Sequence, residues 1–240
     1  MLRMRLALCL LAISLIKARN VPSVDLQRQN ISISVDTTIL LALSKFGSEA
    51  RIPIGIVLET NKPHQLCEES GQVTIRDRPL SEFLDALLAQ SGYTWSVDDG
   101  VIVVHPAHVT DQLTRVLTIK FDRFGGIQTT MQGLGIVLDT WVYSRLHPEA
   151  KGYAGDILSS LGADQFPHFE VRDASVEQIL NKIVSLGSKG IWLLRLDKDF
   201  EHNRNVDLHT YSYKDDANAV QGICSAISYG TSVFKNNICF

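Results

Sequence analysis

The 240-residue chain has no stripe of basic residues, no Gly-x-Ser-x-Gly nucleophile turn and only four cysteines. Each absence removes a class of function. The 23 basic and 26 acidic side chains give a formal net charge of −3 and are scattered along the chain, so there is no electrostatic footprint for a polyanion and no nucleic-acid partner is expected. Serine-hydrolase chemistry has no signature here. Cys67 lies in HQLCEES with His64 three residues before it, a neighbourhood that identifies no nucleophile by itself. Gly125-Gly126 and Gly133-Leu134-Gly135 lack the spacing of a phosphate cradle and read as turn and helix-packing residues.

Metal-ligand patterns are equally thin. His105 and His108 have no cysteine or carboxylate at ligand spacing, and Pro106 between them forbids a helical i, i+3 geometry. Asp197, Asp199, Glu201, Asn203 and Asn205 alternate like the start of a calcium loop, but the required glycine at position 6 is His202 and the closing glutamate at position 12 is Leu208. The expectation is a chain with no cofactor, no metal site and no catalytic residues, not an enzyme.

What is present begins at the N-terminus. Arg3 and Arg5 precede an apolar run from Leu6 to Ile16, then Lys17 and a polar stretch, the layout of a secretory signal peptide over residues 1–18. The run is too short to serve comfortably as a membrane anchor. Ile16-Lys17-Ala18 is a poor cleavage sequence, so an uncleaved signal segment is the one membrane contact left open. The expected location is periplasmic or secreted. Removing residues 1–18 takes away three basic residues and no acid, moving the net charge from −3 to −6. It leaves Cys67, Cys224 and Cys239, for which a Cys224–Cys239 bridge and three reduced thiols are equal alternatives.

The 45% hydrophobic and 20% charged composition is that of globular protein. After a polar linker over 19–35, Ile39, Ala42, Leu43 and Phe46 mark an amphipathic helix, with Asp36 as its N-cap and Gly47 as its stop. RIPIGIVLE follows as a strand that Pro53 assigns to a sheet edge. Then come a short strand at Val73–Ile75 and a helix with Leu80, Phe83, Leu84, Leu87 and Leu88 on one face, capped by Asp77 with Pro79 in its first turn. Tyr93–Val97 and Val101–Val104 flank Asp98-Asp99-Gly100, a hairpin.

Ninety-six residues after VTIRDRPLSEFLDALLAQ the chain writes FEVRDASVEQILNKIVSL. Val176, Ile179, Leu180, Ile183 and Val184 repeat the apolar face, and Arg76/Arg172, Asp77/Asp173, Leu84/Leu180 and, after one inserted residue, Trp95/Trp192 are identical. Both tryptophans are expected to pack on the sheet. Between the copies, residues 116–121 alternate as a strand, and Ile127, Met131, Leu134, Leu138 and Trp141 mark a further helix.

The stretch QVTIRDRPLSEFLDALLAQSGYTWSVDDGVIVV, with the helix and strand upstream of it, resembles the short N-terminal domain shared by secretins and TonB-dependent receptors. The resemblance covers residues 36–105. It implies a small α+β module of two helices against short sheets, facing the periplasm and used for protein–protein contact, but no pore- or barrel-forming sequence follows it. The whole chain is therefore expected to be α+β, with two related small modules over 36–106 and 116–197 that each pack helices on short mixed sheets, and an unassigned segment over 198–240. The expected function is binding or scaffolding another bacterial envelope protein, such as a secretin or TonB-system component. The expected contacts are Ile52, Ile54 and Ile56 on the edge strand, and the charges Arg76 and Arg172, which pair with Asp77 and Asp173 or dock the partner. The alternative is a small periplasmic hydrolase or a metal- or ligand-binding protein with its site between the modules, using His105, His108, Asp197 or Asp199.

Overall fold

A computed structural model describes residues 29–58, 65–68, 72–149, 165–196, 200 and 206–213. In chain order the elements are β1 (Asn30–Val35), α1 (Ile39–Ala50), β2 (Ile54–Leu58), α2 (Gln65–Glu68), β3 (Val73–Pro79), α3 (Leu80–Leu88), β4 (Tyr93–Asp98), β5 (Val101–Pro106), α4 (Asp111–Leu117), β6 (Lys120–Thr130), α5 (Met131–Leu146), β7 (Gln165–Ser175), α6 (Val176–Val184), β8 (Gly190–Leu196) and β9 (Val206–Ser212). The fold is α+β, as the sequence pattern implied.

Five strands form the central sheet in the order β4-β5-β2-β8-β9. Strand β2 is parallel to both of its neighbours, while β4–β5 and β8–β9 are antiparallel hairpin pairs. A strand buried on both faces reads as a continuous apolar run rather than an alternating one, and Ile-Gly-Ile-Val-Leu is such a run. Ile54, Ile56 and Leu58 point into one core and Val57 into the other.

That first core is covered by α1 and α3, contributed by the first copy of the repeat; the opposite face is covered by α5 and α6, from the second. The expectation of two self-contained modules therefore gives way to two units set back to back on one shared sheet. Each full burial of a Leu, Ile or Phe contributes roughly 1.5–3 kcal/mol. Ile191 and Leu193 of β8 pack in the core of the first unit, and Val101 and Val103 of β5 in that of the second. Beyond the sheet, β1 pairs with β3, and β6 with β7, as two antiparallel ribbons.

Local boundaries depart from expectation for identifiable reasons. The residues read as linker include β1, which is held in place by β3. Helix α1 is not capped by Asp36 but starts after Thr38, and it runs through Gly47, where Tyr213 fills the space a side chain would take, to a left-handed Arg51 with φ 53°. Residues 111–117, whose end was read as a strand, are helix α4, because the Thr110 hydroxyl accepts the Leu113 N–H and starts a helical turn. Ile127, assigned to a helix, lies in β6. Residues beyond 205, left unassigned, supply β9 to the sheet.

The four identities between the copies have structural explanations. Asp77 and Asp173 are not helix caps: both adopt left-handed backbone, at φ 51° and 49°, a conformation that aspartate tolerates better than most residues. Each stands inside its strand, two residues before the residue that starts the helix. The residues at the helix starts are Pro79, which makes no side-chain cap, and Ser175, which forms a reciprocal capping box with Gln178. Leu84 and Leu180 are fully buried.

The tryptophans tie sheet to helix. The Trp95 indole N–H donates to Asp85 Oδ1 at 2.8 Å, and the Trp192 indole N–H to Asn181 Oδ1 at 2.9 Å. Asp85 and Asn181 are the same position of the repeat, one step after the shared leucine. In the second unit the ring is fully buried and lies against Gly55 of β2, where no larger residue has room.

Candidate binding surfaces

The isoleucines proposed as edge contacts are interior. Ile52, Ile54 and Ile56 are 4%, 0% and 0% exposed, and β2 has hydrogen-bonded neighbours on both sides. Pro53 misled because it precedes the strand rather than standing in it. There its missing N–H costs no ladder bond, and its carbonyl accepts the Ile102 N–H at 3.1 Å.

The two arginines part company. Arg172 does not pair with Asp173. Its Nε donates to Glu170 Oε1 at 2.7 Å, while Arg123 Nη2 lies 2.7 Å from Glu170 Oε2. The hydrogen bond from Arg172, with those from Arg123, holds the Glu170 carboxyl below the usual carboxylate range. Arg76 is exposed and has no ion pair with Asp77 among the described residues. The Asp77 carboxylate instead accepts from Asn30 Nδ2 at 3.1 Å, across a register shift in the β1–β3 ribbon.

His105 sits at the end of β5 with Nδ1 3.0 Å from the Pro106 carbonyl, and His108 is exposed. No group of three metal-ligating side chains occurs among the described residues. Asp197 and Asp199 lie outside those residues, as do the signal segment, Cys224 and Cys239. Cys67, in α2, is disulfide-bonded.

The rims of the central sheet differ from each other. At one end, α5 packs along β9: the Thr210 hydroxyl donates to the Met131 carbonyl at 2.8 Å, and the Asp139 carboxylate takes a hydrogen bond from the Leu208 backbone. Burial, and then the neighbouring Asp207, push Asp139 up to about 7. Asp207 is itself paired with Arg195 across the β8–β9 ladder. Burial also lowers His209, the next titratable position along β9.

At the other end, β4 pairs with β5 alone among the described residues. Tyr93, Trp95 and Val97 face the first core, and Thr94, Ser96 and Asp98 are exposed. The strand runs six residues without glycine, proline, bulge or basic side chain, the devices that normally blunt a free edge. Its turn is gripped from behind: Asn181 Nδ2 donates to Asp98 Oδ2 at 2.9 Å, and Lys182 Nζ lies 3.8 Å from Asp99 Oδ2. Burial, then Asp98, raise Glu177 on the same helix.

This rim was missed in sequence because edge status depends on which strand lies alongside, and nothing local records that. The one available signal was the strict alternation of Tyr-Thr-Trp-Ser-Val-Asp, which marks a strand covered on one face only. No family model matches the chain, and neither a curated protein nor a solved structure matches it.

Proposed function

We propose that this is an exported bacterial envelope protein that acts without catalysis, as a binding or scaffolding module for another envelope protein, and that the partner adds an extended segment to β4. The observation that carries the reading is the outer edge of β4, which has no partner strand among the described residues. An unpaired strand offers a row of backbone N–H and C=O groups, and a partner strand satisfies them while its alternate side chains supply specificity. The grip of α6 on the β4–β5 turn presents that edge as a rigid template. The disulfide at Cys67 supports export, because such bonds persist in oxidising compartments. The resemblance of residues 36–105 supports an assembly of the secretin or TonB type as the setting.

The test is a photo-reactive amino acid placed at Ser96 in cells, with the exposed Ser48 of α1 as the control position. A discrete adduct with one envelope protein from Ser96, absent from Ser48 and lost when Thr94→Lys is introduced beside the probe, is the expected result. Equal labelling from the two positions, or none from Ser96, defeats the reading.

A further inference from the structure

A second surface lies where α4, the start of β6 and the end of α5 meet. A pocket of about 430 Å³ opens there, lined by Arg115, Ile119, Lys120, Arg145, Leu146 and Pro148. Three cations converge on it from three elements. None has a carboxylate partner among the described residues, although acidic side chains outnumber basic ones in the chain. Glu149, four residues after Arg145, has its carboxyl 3.3 Å from His147 Nδ1.

The arginines are held by aromatic rings rather than by counter-ions. The Arg115 guanidinium lies 5.8 Å from the Phe200 ring centre, and that of Arg145 lies 5.6 Å from Phe121. Cation–π seating leaves the guanidinium N–H groups available for a bidentate oxyanion. Beside Arg145, one turn earlier on α5, Trp141 leans on Phe121 and Phe124 with ring centres 5.6 and 5.5 Å away, yet it is 39% exposed. Val109 is the other large apolar side chain exposed among the described residues.

Arginines near the last turn of α4 and α5 also complement the helix dipoles, but that role calls for neither Lys120 nor an exposed indole. Arginine and tryptophan side by side are the residues that dominate protein–protein contacts.

We infer that this pocket and the Trp141 shelf bind an acidic peptide segment, its carboxylates on Arg115, Lys120 and Arg145 and an adjacent apolar side chain on Trp141. The inference rests on the reading of the chain as a protein-binding module, but uses a different surface from β4.

The probe is a fluorescein-labelled peptide built from Glu-Gly-Phe-Asp repeats, measured by anisotropy against the purified full chain, with its Gln/Asn counterpart and phosphatidylglycerol vesicles as comparisons. The acidic peptide binds, its amide counterpart does not, and affinity falls as salt rises from about 50 to about 200 mM. Each single Arg→Gln change weakens binding about two- to fivefold, the triple Arg115→Gln/Lys120→Gln/Arg145→Gln variant abolishes it, and Trp141→Ala weakens it without changing the salt dependence. Circular dichroism confirms that each variant is folded. Thr94→Lys/Ser96→Lys leaves peptide affinity unchanged, so failure here and failure of the β4 reading are separable. Equal binding of the two peptides, an unaffected triple variant, or binding to vesicles alone overturns the inference.

Discussion

Replacing Asp139 by Asn should stabilise the protein at neutral and alkaline pH and change little in acid. Asp139 is on α5 against the rim strand β9, and burial, with Asp207 nearby, raises its pKa from 3.8 to about 7. A carboxyl whose folded pKa lies above its unfolded value contributes its full stability below the unfolded pKa. That contribution is lost as pH rises through the folded pKa. The loss therefore accumulates between about pH 4 and pH 7 and is complete above that range. A difference of about three pKa units corresponds to roughly 4 kcal/mol at most, and partial hydration at the sheet rim reduces it to about 2–4 kcal/mol.

Asparagine keeps an oxygen to accept the Leu208 N–H and has no charge to desolvate. Urea denaturation of both proteins at a series of pH values from about 4 to about 9 reads the effect directly. The parent should lose stability across that interval, and the variant should be more stable by about 2–4 kcal/mol at the alkaline end, with the curves converging in acid. Parallel curves, or a variant less stable at alkaline pH, would refute the assignment of Asp139 as a buried, ionisation-penalised group. Asp207→Asn distinguishes the two causes of the shift. If burial dominates, most of the pH dependence survives, even though Arg195 loses its partner.

The indole tethers should be unequal. Asn181→Ala leaves a fully buried indole N–H unpaired and should cost about 1–3 kcal/mol, whereas Asp85→Ala breaks an exposed bond worth about 1 kcal/mol or less, both readable by denaturant melts. Asn181→Asp copies the first unit's side chain but sets a carboxylate against Asp98, so its destabilisation should grow as pH rises above the carboxylate range. Gly55→Ala forces a methyl group into the Trp192 ring and should cost about 1–3 kcal/mol. At the left-handed Asp173, glycine should be near neutral, and valine should cost about 1–2 kcal/mol.

The local patterns that carried through to the fold are the helix stripes and one turn. The apolar faces of α3 and α6, buried without exception at Leu80, Phe83, Leu84, Leu87, Leu88 and their counterparts, are legible as helix stripes. The Asp-Gly turn announces the β4–β5 hairpin. Misreadings have two sources, residues whose meaning is decided by distant partners and helix starts assigned to the wrong residue. Pro53 reads as an edge marker until β2 is seen between β5 and β8, a pairing that spans well over a hundred residues. Val-Leu-Thr-Ile alternates like a strand, but its first half belongs to α4, whose start is set by Thr110. The aspartates of the repeat look like caps because cap and left-handed turn favour the same side chain. The basic pocket is invisible in the sequence, since its cations stand up to thirty residues apart and are scattered among acids.

The repeat bears on binding through where its two copies sit in the sheet. In both copies the tryptophan strand follows the same helix, yet β4 ends at the rim and β8 in the middle of the sheet. Their sequences record the difference: Gly-Ile-Trp-Leu-Leu-Arg-Leu is apolar on both faces, with β2 and β9 alongside, and Tyr-Thr-Trp-Ser-Val-Asp is apolar on one. The Asp turn, the buried leucine and the indole tether make the unit fold, so they recur. The two units then share one sheet, and sharing spends the edges of β2 and β8 on each other, while α5 takes that of β9. Among the described residues, strand β4 is left with one face and one edge exposed, and Asp98 at its end is its one charge. A rim of purely structural origin would be expected to carry a lysine, a proline or a bulge; its absence is the reason to look for the partner there rather than at the positions the two copies have in common.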